Sequence, residues 1–409
     1  MTVTLFPRPN ADLRRSLDGL LSLIDQVFPL QARHKAGLTN DVRDLSRSLT
    51  SERSDRDAGY LGKPGALSAY LRYYLPWNVY RLARLLPALS LNLKDGDLVT
   101  DLGSGPLTVP IALWLSRPDL RSLKLEFQCL DRTAKVLDAG TLLFAALVAG
   151  TGTPWQVRAV RGTLGTRLQG GAALVCAANV FNESAGDARL PLAVQAEKRA
   201  RLLSALARED GAVLVVEPGV PASGAFVSAL RDALIDDGRL PLAPCPHAGT
   251  CPMPGGRHLR KWCHFVFDTD DAPDHLHKLS AAAGIPKERA TLSFLFAGGL
   301  DARGLAGGVS GDKAGADGAL AAGGLASGAG GGLAGRDAKA PLKVRVVSDS
   351  FPLPDGSSGR YACSARGLAL LVGSRSEMTA LGSGCLVETR PQDGPEHRDP
   401  KTDALVVRP

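Results

Sequence analysis

VTDLGSGPLTVPIALWLS, residues 99–116, passes from an apolar run through a glycine-rich turn into a helical pattern. The apolar part, DLVTDLG, reads as a short buried strand ending at Gly103, and PLTVPIALWLS reads as the helix that follows. Asp101, Gly103, Ser104 and Gly105 therefore fall at the strand–helix turn. Glycines there let the backbone approach a ligand closely, and the helix start offers free N–H groups. Downstream, LKLEFQCLD forms a second strand ending at Asp131, 28 residues after Gly103. An acidic residue at that tip can accept hydrogen bonds from both hydroxyls of a ribose. The alternation continues with a helix (TAKVLDAGTLLFAALVAG), strands WQVRAVRG and AALVCAANVFNE, a helix (AVQAEKRARLLSALARE), a strand (GAVLVVEPG) and a helix (ASGAFVSALRDALIDDG). Apolar strands alternating with helices predict an α/β fold, a Rossmann-like parallel sheet covered on both faces.

Two ligand classes suit such a turn. The dinucleotide fingerprint is G-x-G-x-x-G, but here the glycines stop at Gly105 and Pro106 and Leu107 follow. The D-x-G-x-G pattern is similar to the first motif of class I methyltransferases, which favours S-adenosylmethionine. In those enzymes a glycine commonly stands where Leu107 does. Cofactor-binding candidates are Asp101, Gly103, Ser104, Gly105, Asp131, Asn179 and, at the tip of the fifth strand, Glu217. The end of the fourth strand, AANVFNES, supplies the catalytic candidates Asn179, Asn182 and Glu183. The sequence carries neither N-P-P-Y nor D-P-P-Y of amino-methylating enzymes, and Cys176 is placed mid-strand rather than as a nucleophile.

Beyond the fifth strand lies a Pro/Gly/Cys/His-rich loop, 241–264, containing APCPHAGTCPMPGGRHLRKWCHF. Cys245, Cys251 and Cys263 are spaced C-x5-C-x11-C, a plausible thiolate cage for an iron–sulfur cluster or zinc. A fourth ligand has to come from His247, His258 or His264 nearby, or from Cys363 or Cys385. Cys129 and Cys176 sit in strand-like runs and read as small buried hydrophobes. Seven cysteines, an odd number, without an export signal argue against a disulfide framework.

Outside the core, residues 1–90 form a predicted N-terminal helical domain and 91–297 the Rossmann-like domain with its cysteine loop. Residues 298–340, rich in Gly and Ala, read as a flexible insertion. A small β-module spans 341–390, and 391–409 reads as a loose tail. In ALSAYLRYYLPWNVYRLARLLPAL, Pro76 is expected to break or kink the helix. The aromatics there, Tyr70 to Tyr80, read as packing rather than as a nucleic-acid clamp.

The chain has 409 residues, enough for two to three domains at about 100–200 residues each. Its net charge of +7 suits a polyanionic partner such as RNA, and arginine outnumbers lysine more than twofold. No apolar run reaches the length of a membrane span, and MTVTLFPRPNADLRRSL lacks a signal-peptide centre. A cytoplasmic protein, monomeric when free, is expected.

Taken together, SAYLRYYLPWNVYRL, DLGSGP, ANVFNE, VVEPG, CPHAGTCPM, KWCHF and RYACSARG resemble the methyltransferase-like, Rsm-type family of small-ribosomal-subunit assembly proteins of bacteria and mitochondria. The resemblance covers most of 65–373, apart from the Gly/Ala insertion. It implies a class I methyltransferase fold, S-adenosylmethionine, association with the small ribosomal subunit and its rRNA, and a [4Fe–4S] cluster on Cys245, Cys251, Cys263 and Cys363. Three functions compete: an rRNA-binding assembly factor, an active rRNA methyltransferase, and a zinc-stabilised small-molecule methyltransferase.

Overall fold

The computed structural model describes residues 3–50, 61, 63–183, 190–255, 261–299, 341–390 and 395–409. The Gly/Ala-rich stretch from residue 300 to 340, His258 and the Glu183 side chain lie outside them.

Among the described residues, four α-helices precede the sheet: α1 (Ala11–Val27), α2 (Ala32–Thr50), α3 (Pro64–Ala69) and α4 (Leu75–Leu85). Asn10 caps α1 by accepting the Leu13 N–H. Pro76 does not break the helical path. A π-turn, Tyr70–Tyr74, joins α3 to α4 and leaves the proline in the first turn of α4, where its missing N–H costs little. Tyr73, Trp77 and Tyr80 are fully buried, which agrees with a packing role for the aromatic run.

The sheet domain follows as β1 (Leu98–Leu102), α5 (Thr108–Ser116), β2 (Glu126–Asp131), α6 (Ala134–Leu147), β3 (Gln156–Arg161), β4 (Ala172–Ala178), α7 (Leu192–Leu206), β5 (Ala207–Pro218), α8 (Pro221–Asp236), β6 (Leu240–Ala243), β7 (Phe265–Asp268), α9 (Asp274–Ala282) and β8 (Arg289–Gly298). Strand order is β3-β2-β1-β4-β5-β8-β6. The neighbours from β3 to β5 are parallel, and β8 inserts antiparallel between β5 and β6. This is the Rossmann-like, class I methyltransferase arrangement that the alternating pattern predicts. Side chains alternate across it as a doubly covered sheet requires. Val99, Leu174, Cys176, Leu214 and Val216 join one core with α1, α4, α5 and α6. Leu102, Val175, Ala177, Val213 and Val215 join the other with α7 and α8. The N-terminal helices thus share a core with the sheet. Cys129 and Cys176 are buried in it as apolar side chains.

The C-terminal part is one further sheet, ordered β13-β9-β11-β12-β14. It is formed by β9 (Lys343–Val346), β11 (Ser358–Ser364), β12 (Gly367–Gly373), β13 (Leu386–Glu388) and β14 (Leu405–Val407), with β10 (Phe351–Pro352) paired to β11 and a short helix α10 (Arg375–Ala380). The expectation of a loose tail over 391–409 is corrected at its end. Leu405 and Val407 are buried, and β14 pairs in parallel with β12, because LVV offers alternate apolar side chains to the small core around Met378.

Candidate functional site

A cavity of about 480 Å³ opens at the carboxyl ends of β1, β2, β3 and β4. Strand order reverses direction between β1 and β4, the position where open α/β sheets hold ligands. Its lining includes Gly103, Gly105, Asp131, Thr133, Gly162 and Asn179. Gly103 and Gly105 have φ of 63° and 55°, and Asn179 has 59°. Asn tolerates this left-handed region better than most side chains. A Cβ on Gly103 would lie 2.5 Å from Val180 Cγ2, so glycine is required where the tips of β1 and β4 meet.

Asp131 sits at the tip of β2 as expected. Its Oδ2 accepts the Gly105 N–H at 3.0 Å and its Oδ1 the Thr133 N–H at 2.8 Å. A carboxylate has about four lone-pair sites, so two remain for a pair of ribose hydroxyls. Burial raises the Asp131 pKa, opposed by these two backbone bonds.

Four expected residues, Asp101, Ser104, Glu217 and Asn182, are not part of the cavity wall. Asp101 is buried, accepts a hydrogen bond from the Ser104 hydroxyl through one oxygen, and has no partner for Oδ1 among the described residues. Burial pushes its pKa up to about 7, against the Ser104 bond and with a smaller contribution from Asp131. Glu217 is buried and accepts from the backbone N–H groups of Val180, Phe181 and Asn182, at 3.2, 2.9 and 3.2 Å. It therefore shapes the loop after β4 from behind. Asn182 leaves its Oδ1 buried without a partner among the described residues.

Sequence reasoning missed the far wall of the cavity, Tyr70 and Asn78 from the π-turn and α4, and the floor at Gly162, Thr163 and Gly165. The glycines of RGTLG directly after a parallel strand are a readable signal. The far wall is not, because it comes from an element remote in sequence.

The cysteine loop is an excursion between β6 and β7, both of which pair with β8 along the same side. It is pinned from three directions. Arg231 of α8 donates to the His247 and Gly249 carbonyls at 3.0 and 2.6 Å. Arg345 of β9 donates through Nε to the Pro244 carbonyl at 2.9 Å. Trp262 Nε1 donates to the Gly219 carbonyl at 3.1 Å, and Ser293 Oγ to that of Cys263 at 2.8 Å. Cys245, Cys251 and Cys363 all bear electrostatically on Cys263, so the hairpin of the C-terminal sheet does bring Cys363 to the loop. Burial raises the thiol pKa of Cys245, Cys263 and Cys363. His247 Nε2 lies 3.2 Å from Cys363 Sγ. Cys385 packs in the C-terminal core. Among the described residues, no group of three or more His, Cys, Asp or Glu side chains is arranged to hold a metal ion. None of the cysteines lines the cavity.

No curated protein sequence matches this chain. Among solved structures, it is similar to geranyl diphosphate C-methyltransferase from Streptomyces coelicolor A3(2), at 11% identity over 64% of this chain and 98% of that one, with a TM-score of 0.34. A Thiobacillus denitrificans S-adenosylmethionine-dependent methyltransferase matches at 14% identity over 53% and 90%, TM-score 0.31. Aeropyrum pernix fibrillarin matches at 15% over 54% and 76%, TM-score 0.29. At such scores the fold assignment rests on the strand order itself. The family model described as mitochondrial small ribosomal subunit Rsm22 matches residues 101–304, from the glycine turn through the cysteine loop to the end of β8. Over residues 101–304 the chain is similar to that family.

Proposed function

We propose that this protein is an assembly factor of the small ribosomal subunit that binds its rRNA, uses the cavity at β1–β4 to hold S-adenosylmethionine, and carries a [4Fe–4S] cluster on Cys245, Cys251, Cys263 and Cys363. The observation that carries the reading is the separation of two candidate sites within a chain matching this family: the cysteine loop, with Cys363 3.2 Å from its His247, lies outside the cavity wall. A centre so placed serves to hold the loop against the C-terminal sheet and to shape a binding surface. S-adenosylmethionine, when bound, supplies a sulfonium-activated methyl group. Asp131 would accept its ribose hydroxyls, and Gly103, Gly105 and Asn179 would let the backbone approach it. Four soft thiol donors suit an iron–sulfur cluster, with zinc as the competing occupant. The compartment is that of the ribosome served, the cytoplasm in a bacterium and the matrix in a mitochondrion. Among the described residues, no helix is long and apolar enough to cross a membrane.

Anaerobic purification tests the cluster. Brown protein with iron and acid-labile sulfide at about four each per chain is expected; colourless protein with one zinc would overturn the assignment. Co-sedimentation with immature small subunits tests the partner.

Asn179, in the cavity wall directly after β4 with a left-handed backbone, favours a second reading, an active rRNA methyltransferase. Transfer of labelled methyl groups to immature subunits, abolished by Asp131→Ala, would establish it. Normal subunit maturation in cells carrying Asp131→Ala favours the assembly role.

A further inference from the structure

Two arginines beside the cysteine loop are buried without adequate acidic partners. Arg345 is 7% exposed, and among the described residues no carboxylate pairs with it. Its bonds go to two carbonyls, those of Pro244 and Gly384. Arg231 is 3% exposed and leaves Nε without a hydrogen-bond partner among the described residues; the acid paired with it is Asp232, whose side chain is itself 55% exposed. A buried cation left uncompensated is strongly destabilising. Both arginines reach the thiols. Arg231 interacts electrostatically with Cys245 and Cys251, and Arg345 with Cys245, with Cys385 of the C-terminal core and with Cys363. Strand register agrees, because Arg345 of β9 is the direct partner of Cys363 on β11. Protonated thiols would leave both cations unbalanced. Four thiolates around a dipositive centre leave about two negative charges, which two guanidiniums neutralise.

We propose that Arg231 and Arg345 are the built-in counter-ions of a tetrathiolate centre, so that the charge of this locus balances only when the four cysteines are ligated. This rests on the cluster reading above. The two residues are positioning groups: they touch the loop and the thiols' surroundings and set the charge in which the centre sits. Net charge and neighbouring donors are the levers that tune such a centre's potential.

The test uses the full chain in loaded and metal-stripped forms, with Arg345→Met removing the charge and Arg345→Lys keeping it. In the loaded protein, Arg345→Met should lower the midpoint potential and speed metal loss to a chelator roughly 10–100-fold, while Arg345→Lys keeps the wild-type potential. In the stripped protein the sign inverts: Arg345→Met should melt at a higher temperature than stripped wild type. Arg231→Met should repeat the pattern, and it decides the matter if Arg345→Met does not fold. If the arginines only pin loop carbonyls, both Arg345 variants will destabilise the loaded and stripped forms alike and leave the potential unmoved, and the proposal falls. A wild-type protein holding zinc would instead refute the cluster reading alone. The chelator rate and the inversion of melting would then be read on the zinc form and would still decide the counter-ion role.

Discussion

Leu107 takes a left-handed backbone, φ 58°, at the start of α5, and its side chain is completely buried. Methyltransferases of this type commonly place glycine there. The left-handed conformation costs a residue with a Cβ about 1–2 kcal/mol, whereas deleting a buried leucine side chain costs about 2–5 kcal/mol. Burial wins, so Leu107→Gly should destabilise the protein by about 1–3 kcal/mol in a denaturant titration, although glycine suits the backbone better. Leu107 is absent from the cavity wall, so cofactor affinity per folded molecule should be retained in calorimetry. Asp101 gives the pH counterpart. Its pKa is raised to about 7 in the folded protein by burial, against 3.8 for the free group. Between those values the unfolded chain has lost its proton while the folded one keeps it, so stability present below about pH 4 is lost as pH rises through about 7. Raised Asp131 acts in the same direction. The contribution of these two carboxyls to the unfolding free energy of the ligand-free protein should therefore fall between about pH 4 and 7, and the difference between wild type and Asp101→Asn should shrink over that window.

Helix α6 approaches the glycine turn closely at Gly140. A Cβ on Gly140 would lie 2.7 Å from Pro106 Cα and 2.8 Å from Leu107 Cγ. The nearer neighbour is backbone, so it cannot swing away. Gly140→Ala should cost about 1–3 kcal/mol and weaken S-adenosylmethionine binding by displacing the turn. Gly19, within α1, has open space where a methyl group would stand, with nothing within 4 Å, and Gly19→Ala should add about 0.5–1 kcal/mol. The two melting curves check both signs with one substitution type. At this scale the sequence is informative wherever one strand meets its own turn. DLGSGP, the acid ending β2 and the tip of β4 are readable because each lies within one βα unit. Three kinds of feature are not. The roles of Asp101 and Glu217 depend on which way a carboxylate faces at a strand tip, and both face inward. Tyr70 and Asn78 reach the cavity from a helix remote in sequence. Pro76 reads as a helix break because a π-turn leaves no mark in the residue pattern.

Across the whole molecule, the amino-terminal segment ties the two sheets together. Leu5 N–H donates to the Gly384 carbonyl at 3.3 Å, and Leu386 N–H to that of Val3 at 2.8 Å. Phe6 stacks on Phe267 with ring centroids 4.8 Å apart, touches Phe265 and Phe294, and lies where a Cβ on Gly384 would fall. Arg84, buried against Asp271, binds the Phe6 and Pro7 carbonyls from α4. The carboxyl-terminal sheet is therefore held by this segment, by the cysteine loop through Arg345, and by the exposed Arg289–Asp349 pair, and an exposed pair contributes little. Phe6→Ala removes a ring that is 5% exposed and should cost about 3–5 kcal/mol. The loss should be local, because β1 to β4 keep their own helices on both faces. Hydrogen exchange should quicken in β7, β9 and β13 while β1, β2 and β4 stay protected, and loading the thiol centre should restore part of the protection in β9 alone, the strand that carries Arg345. Equal acceleration in β1 to β4 would mean instead that the two sheets unfold as one cooperative unit, with the amino-terminal segment as part of a single core.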